Sequence, residues 1–133
     1  MTWYTASIII SCRLREGHQN TFPVYENFTL FEAKNAEDAA KKAENYAEKY
    51  AKIDDNLQLN GKSAYWKFEG IRKLIEIRDY LSSNELDVDK PTSGVEVSYS
   101  YIEVDSEEQL LKLSTGKSVS VRYIDSDEDE SLS

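Results

Sequence analysis

Cysteine and histidine are almost absent from this sequence. Its 133 residues include one cysteine, Cys12, and one histidine, His18. A single cysteine excludes a disulfide within the chain, and the Cys/His clusters that bind structural zinc are missing. The sequence therefore predicts a protein of a reducing compartment, which we take to be the cytoplasm, with no metal site and no cofactor.

Long apolar runs and basic charge are also scarce. No apolar segment approaches the ~20 residues that a membrane-spanning helix needs, and the N-terminal stretch MTWYTASIIISCRLR has no basic leader before its short apolar part. Lysine and arginine number 16 against 25 aspartates and glutamates, which gives a net charge of -9. Nonspecific nucleic-acid binding depends on cations that neutralise phosphates. We therefore expect neither a membrane nor a nucleic acid as a partner.

The negative charge is concentrated at the C-terminus. Residues 125–133, DSDEDESLS, contain five acidic residues and no basic one. Like charges in a row repel one another and bury nothing, so this segment is predicted to be a disordered, solubilising tail; the alternative is a tail that binds a partner. The remaining chain is long enough for one core. We expect a single α+β domain over residues 1–124.

The first two apolar segments have the period of strands. Alternate residues from Tyr4 to Leu14, Cys12 among them, are apolar, and the residues between them are largely polar. This alternation is typical of a half-buried strand. Turn residues in REGHQNTFP separate it from VYENFTLFEA, which predicts a second, antiparallel strand.

The period then changes to that of a helix. Alanines and tyrosines from Ala36 to Tyr50, followed by Ile53, recur at the spacing of one apolar helix face. Asn35 stands where a side chain would cap the helix N-terminus. Because most of this inner face is alanine, the helix can lie close to a sheet, with Tyr46 and Tyr50 filling the wider end.

The segment SAYWKFEGIRKLIEI, residues 63–77, does not keep one alternation. Its first apolar residues share one parity, whereas Ile71, Ile75 and Ile77 share the other, and Gly70 stands between the two sets. A slip of one residue would turn an apolar face to water. We therefore predict one β-bulge at or near Gly70, with that glycine at positive φ, which returns both halves to the same core.

The C-terminal part predicts a polar connection over residues 80–94, a strand from Val95, a short helix and a last strand in SVSVRYI. Ser106 and Gln109 have the spacing of a capping box ahead of that short helix. The predicted fold class is α+β: an antiparallel sheet of about five strands with one main amphipathic helix packed on a face. The predicted order is β-β-α-β-β-(short α)-β.

Little in the sequence points to catalytic chemistry. Cys12 has the parity of the core, so we expect a buried and inert thiol, and His18 is expected in an exposed turn. Glu85, Asp87 and Asp89 lack the spaced oxygens and the glycine of a calcium loop and are predicted to be solvated. The glycines stand singly, which excludes a glycine-rich phosphate loop. No catalytic, cofactor-binding or metal-binding residue is predicted.

Two aromatic residues are exceptions to the core pattern. Trp3 and Tyr65 lie on the parity opposite to the main apolar sets of their strands. Aromatic side chains on a sheet face supply much of the contact area at protein interfaces. Trp3 and Tyr65 are therefore our candidate interaction surface, either for a partner or for self-association.

Several segments together resemble a bacterial family of small domains of unknown function. These segments are Trp3-Tyr4, FEAKNAEDAAKKA at 31–43, YWKFEGI at 65–71 and GVEVSYS at 94–100. The resemblance covers roughly residues 3–101, and the pattern W-x-F-x-G-I after an alanine-rich helix is its most distinctive part. It implies a bacterial cytosolic domain and brings no activity or site residue with it.

Two functional hypotheses follow. The first is a non-enzymatic protein-interaction module, one version being an acidic immunity or inhibitor protein, because charge complementarity speeds association with a basic partner. The alternative is a small-ligand-binding protein or enzyme with a pocket between helix and sheet, with Tyr46, Tyr50 or Tyr99 as polar groups. A pocket with convergent polar groups would favour the alternative.

Overall fold

The computed structural model describes residues 1–53, 56–77 and 93–124. The predicted acidic tail and the acidic residues of the polar connection lie outside these residues. The described elements are β1 (Thr2–Leu14), β2 (Phe22–Ala33), α1 (Ala36–Ala51), β3 (Gln58–Leu59), β4 (Lys62–Ile77), β5 (Val95–Val104), α2 (Glu107–Ser114) and β6 (Arg122–Tyr123). The strands form one antiparallel sheet in the order β3-β4-β1-β2-β5-β6. The predicted α+β fold class and element order are confirmed, with β3 as an added short strand.

The central strand β1 is buried on both faces. Its even-numbered residues, such as Ile8 and Ile10, pack with the alanines of α1, as the alternation predicts. On the opposite face, Ile9 packs with Leu110 and Leu113 of α2. The sheet is therefore covered by a different helix on each face, which we call the α1 face and the α2 face.

Helix α1 begins as predicted and ends earlier than predicted. The Asn35 side chain accepts a hydrogen bond of 2.8 Å from the backbone amide of Asp38. Ala39, Ala43 and Ala47 are fully buried, whereas Ala36, which was predicted on the inner face, is exposed in the first turn. Ile53 was predicted on the inner face, but it lies beyond the last helical residue and is 75% exposed. The amides of Lys52 and Ile53 bond to carbonyls three residues back, a tightening that is common where a helix ends.

Strand β4 contains two bulges where one was predicted. Its register with β1 shifts twice, so that Glu69 and Arg72, on either side of Gly70, have no opposite residue. The first shift brings Ile71 onto the α1 face. The second shift turns the strand again, so Leu74 packs on the α1 face.

The second bulge overturns part of the core prediction. Ile75 and Ile77 lie on the α2 face, where they are 55% and 39% exposed. Gly70 does not have a positive φ, so the predicted reason for that glycine is also wrong. A Cβ at Gly70 would lie 2.8 Å from the carbonyl oxygen of Ser114, and the glycine is needed because α2 packs against it.

Glu69 and Arg72, the two residues of β4 without an opposite residue in β1, bind the two ends of α2, Glu69 through Arg13. The Arg72 guanidinium donates hydrogen bonds to the carbonyls of Leu113 (2.8 Å) and Lys117 (3.0 Å) at the C-terminal end of the helix. Glu69 accepts a hydrogen bond from Arg13 (2.8 Å), which in turn binds Glu107 in the first turn of α2. The predicted capping box is formed in part: the Ser106 side chain accepts from the backbone amide of Gln109, as expected of the N-cap. The Gln109 side chain accepts from the backbone amide of Asp105, one residue before the position that a capping box requires.

Candidate functional site

The two predicted surface aromatics share a face but do not meet. Trp3 is opposite Ile77 and Tyr65 is opposite Arg13 in the pairing of β1 with β4. Ten residues of β1 separate these two positions, a distance of roughly 33 Å in an extended strand, and α2 packs on the same face between them. Trp3 and Tyr65 are both partly exposed. The structure therefore assigns them to two separate regions of the α2 face.

Tyr65 lines a cleft of about 470 Å³ beside the β1–β2 turn, together with Arg13, His18 and Glu107. The polar groups of this cleft already bind one another. Arg13 donates two hydrogen bonds to Glu107, of 2.7 and 2.9 Å, and a third to Glu69. The bond with Glu107, and then the neighbouring Glu69, raise the pKa of Arg13 against the effect of burial.

This cleft is therefore better explained as part of the protein's framework. With two carboxylates bound to it, the Arg13 guanidinium has little capacity left for an anionic ligand. The hydrogen bond from Arg13 holds the pKa of Glu107 below its usual range. His18 is exposed in the turn, as predicted, and its ring nitrogen lies 2.7 Å from the side-chain oxygen of Asn20.

Cys12 lies in the core, as predicted. It is 3% exposed and unpaired, and burial raises the pKa of its thiol. A raised pKa leaves less thiolate at neutral pH, which is the form that reacts.

A second cleft, on the α1 face, has a different character. It encloses about 310 Å³ beside α1, where the helix leaves β5 uncovered. Aromatic rings from four elements wall it: β2, α1, β4 and β5 contribute Tyr25, Tyr50, Trp66 and Tyr99, with Asn27 and Glu96 completing the lining. We call this cleft the aromatic slot.

The rings of the aromatic slot support one another. Tyr25 is in the middle, with ring centroids 5.3 Å from Trp66 and 5.7 Å from Tyr99, both in tilted arrangements. Behind it, Tyr101 stacks on Tyr25 at 4.5 Å. These distances are those of favourable aromatic pairs, so the ring positions are fixed by mutual contact rather than by a ligand.

Asn27 is the exceptional residue of the slot. Its side chain is 1% exposed, and its amide nitrogen has no hydrogen-bond partner among the described residues. Leaving a buried donor unpaired costs about 1–3 kcal/mol. A polar group maintained at such a cost, on the wall of a cleft, is a candidate for binding a ligand.

Glu96 is the charged residue in the described lining of the slot. Burial raises the pKa of Tyr25, and the neighbouring Tyr99, Tyr50 and Glu96 raise it further, because each disfavours a second negative charge nearby. The ring centroid of Tyr46 lies 5.9 Å from that of Tyr50, and the pKa of Tyr46 is raised by burial and then by Glu96. None of the described residues that line the slot is a lysine or arginine.

The sequence anticipated this site only in part. Tyr50 and Tyr99 were named as polar groups of a pocket between helix and sheet, and both line the slot. Trp66 was assigned to the core, and Asn27 was not singled out. The sequence did contain an indication of Asn27: it is a polar residue at a position that shares the parity of the buried residues in the second half of β2.

Within the described ranges, no helix is long and apolar enough to cross a membrane. The same residues contain no group of three or more His, Cys, Asp or Glu side chains placed to hold a metal ion.

The chain matches no curated protein and no solved structure. The family model described as Domain of unknown function (DUF4288) matches residues 3–98, which is more than half of the chain and close to the extent of the resemblance seen in the sequence. The match runs from β1 into β5 and contains every slot residue except Tyr99. On this evidence the chain belongs to the DUF4288 family of domains of unknown function.

Proposed function

We propose that this protein is a non-enzymatic binding module whose aromatic slot holds the positively charged, partly apolar end of a ligand. The observation that carries the proposal is the buried, unpaired amide of Asn27 on the wall of a cleft lined by four aromatic rings. An acceptor on a ligand would satisfy this donor. The proposal combines the two hypotheses drawn from the sequence: a binding protein, with its pocket beside the helix.

The side chains that line the aromatic slot favour a positively charged ligand. A cation over the face of a tryptophan or tyrosine ring gains about 0.5–2 kcal/mol, more when water is excluded. Tyr25, Tyr50 and Trp66 offer such faces, and Glu96 adds a carboxylate. An anion would meet this carboxylate with no cationic side chain in the described lining. An ammonium or guanidinium group with a nearby oxygen acceptor fits the slot best.

The slot lining supports binding rather than covalent chemistry. Its described side chains are phenols, an indole, an amide and one carboxylate, which orient and hold a ligand but do not pair a nucleophile with a base. Cys12 and His18 lie elsewhere in the fold. The lone buried cysteine supports a reducing, cytoplasmic location for this module.

The acidic chain supports a basic partner. A net charge of -9 attracts cations at long range, so a basic protein that presents a lysine or arginine would be steered toward the slot. An immunity or inhibitor role is one form that such an interaction could take.

Choline tests the charge of the ligand. We expect choline to bind in the slot and 3,3-dimethylbutan-1-ol, the neutral molecule of the same shape, to bind more weakly by about fivefold or more. The readout is Trp66 fluorescence in a Trp3→Phe background, with the Asn27 side-chain amide followed by NMR. Equal affinities for the two compounds, or no binding at millimolar concentration, would overturn the proposal.

Paired variants locate the binding site. Glu96→Gln should weaken choline binding by up to about fivefold, the value of one partly solvated charge pair. Glu16→Gln removes the same charge from the exposed β1–β2 turn, away from the slot lining. An equal effect of both variants would assign the attraction to the overall charge of the protein instead of the slot.

A further inference from the structure

Among the residues that the structure describes, little covers the outer edge of β5 beside the aromatic slot. Strand β6 covers only Ile102 and Glu103, and the carbonyl of Tyr101 accepts a hydrogen bond of 2.9 Å from the amide of Ile124. From residue 95 to residue 100, no described residue pairs with β5 on this side. Alternate residues of a strand direct their backbone groups to the same edge. The N–H and C=O of Tyr99 therefore face outward with those of Tyr101.

Within residues 1–53, 56–77 and 93–124, this edge lacks the usual protection. Val95, Val97 and Tyr99 are 39%, 54% and 58% exposed, whereas edge strands are commonly shielded by lysine, proline or a covering segment. An exposed edge with free backbone groups and apolar side chains is the feature to which extended peptides add as a further strand. A bulge at Val97 interrupts the pairing with β2 on the other side.

Two residues connect the edge with the slot. Tyr99 and Glu96 belong to β5 and also line the slot. An added strand would lie about 4.8 Å from β5, so every second side chain of the peptide would stand on the α1 face, next to the Tyr99 ring. A lysine or arginine at such a position is long enough to reach across Tyr99 toward the Trp66 ring, with its charge beside Glu96.

We propose that β5 binds an extended, basic peptide segment of a partner protein as an additional strand, with one lysine or arginine side chain of that segment in the aromatic slot. This inference rests on the proposed function, since it needs a slot that accepts a cation. The acidic chain favours a basic segment over a second copy of itself, because two copies would each carry a net charge of -9 and repel one another.

The probe is a capped peptide of sequence TVKVT. Two control peptides separate the contributions: one has N-methyl groups on the backbone amides that an added strand would donate, and one has norleucine in place of lysine. We expect TVKVT to bind at least about tenfold more tightly than either control, because each control removes one recognised feature. Hydrogen exchange at the Tyr99 amide should slow when TVKVT is bound.

A protein variant tests the edge separately from the slot. Val97→Lys places a cation on the exposed edge, outside the slot lining, and should weaken TVKVT binding at least fivefold, because it repels the basic peptide. Choline binding should be retained in this variant and weakened less than TVKVT binding, and the retained binding shows that the variant is folded.

The outcomes are distinguishable. If choline binds in the slot and the N-methylated peptide binds as tightly as TVKVT, strand addition is wrong and the proposed function stands. If neither choline nor TVKVT binds, both are wrong. If the Tyr99 amide is protected without peptide, in step with dimer formation measured by sedimentation, a second copy occupies the edge and the inference is overturned.

Discussion

Asn27 and Gly70 each occupy a position where burial alone would favour an ordinary apolar residue. Asn27 is 1% exposed and carries an unpaired amide nitrogen. Gly70 lies within β4, where glycine has no side chain to pack and weakens a strand, yet any Cβ there would collide with the Ser114 carbonyl. Each residue is explained by its neighbour in the fold: Asn27 lies beside the aromatic slot, and Gly70 lies against α2.

Asn27→Val should make the protein more stable and less able to bind. Removing an unpaired buried donor is expected to raise the free energy of unfolding by about 1–2 kcal/mol, while the loss of the donor weakens choline binding. Denaturation by urea measures the first effect, and Trp66 fluorescence measures the second. A destabilised variant would show that the amide has a partner in the folded protein; a stabilised variant with unchanged affinity would place Asn27 outside the binding site.

Gly70→Ala should destabilise the protein by about 1–3 kcal/mol, the usual cost of forcing an extra group into a packed site. The added methyl group must displace the carbonyl of Ser114, so amide exchange in α2 should become faster. Gly17→Ala is the control, because Gly17 has a φ of +93° and no atom within 4 Å of an added Cβ. It should cost stability through the backbone without a specific change in α2. A neutral Gly70→Ala would mean that α2 does not pack as closely as the structure shows.

Among the elements, α2 is held by strand irregularities rather than by its own length. It has eight residues, too few to be stable alone, and two leucines bury its inner face. The bulges of β4 supply the remaining contacts: Arg72 binds the carbonyls at one end of α2, and Glu69 acts through Arg13 at the other. Bulges commonly redirect a side chain in this way.

Arg72→Met should lower the free energy of unfolding by about 1–2 kcal/mol, because charge-assisted hydrogen bonds to the helix carbonyls are lost while the apolar stem is kept. Amides of α2 should exchange faster than those of α1. Arg122→Met is the control: Arg122 binds the carboxylates of Glu103 and Asp105 at the surface, where ion pairs contribute little. If Arg72→Met and Arg122→Met lower the free energy of unfolding equally, the hydrogen bonds of Arg72 to α2 contribute no more than a surface ion pair.

The elements also show which features the sequence could predict. The caps at Asn35 and Ser106 depend on neighbours within a few residues, and both are confirmed. The alternation of β1 correctly placed its even-numbered residues in the core, but the prediction of a half-buried strand is wrong, because α2 also covers the other face. Ile75 and Ile77 were misplaced because a period-two pattern with one interruption cannot reveal a second bulge. The partners that explain Glu69 and Arg72 are distant in the sequence: Arg72 binds Leu113, 41 residues away, and Glu69 binds Arg13, 56 residues away. Sequence spacing carries no record of such contacts.

For the molecule as a whole, the two faces of the sheet are covered to different extents. Helix α1 packs on β4, β1 and β2 and leaves the β5 side open, which creates the aromatic slot. The sequence named Tyr50 and Tyr99 as polar groups of a pocket between helix and sheet, and both line the slot. The unpaired state of Asn27 could not be predicted, because it depends on which atoms four separate elements bring near it. The family match ends at residue 98, before α2 and β6, so the proposed site belongs almost entirely to the part shared with the family.

The tyrosines that surround the slot should limit the stability of the protein at alkaline pH. Burial raises the pKa of Tyr25, Tyr46 and Tyr101 above the ordinary value of 10.0. Their neutral form is therefore favoured in the folded state, whereas in the unfolded chain they lose a proton once the pH exceeds about 10. The stability linked to these groups is complete below that pH and is lost as the pH rises through their raised folded-state pKa values.

Urea denaturation at a series of pH values from about 8 to about 11 tests this expectation, since that range spans the ordinary tyrosine pKa. The wild-type free energy of unfolding should fall above pH ~10, and the fall should be shallower in Tyr25→Phe, because one of the shifted groups has been removed. Tyr123→Phe is the matched control, since Tyr123 is 72% exposed at the end of the sheet, and it should follow the wild type. If Tyr25→Phe also falls as steeply as the wild type, then Tyr25 ionises in the folded protein as readily as in the unfolded chain. The slot would then be open to water. The low-dielectric environment that strengthens the attraction between a cation and the aromatic rings would be absent.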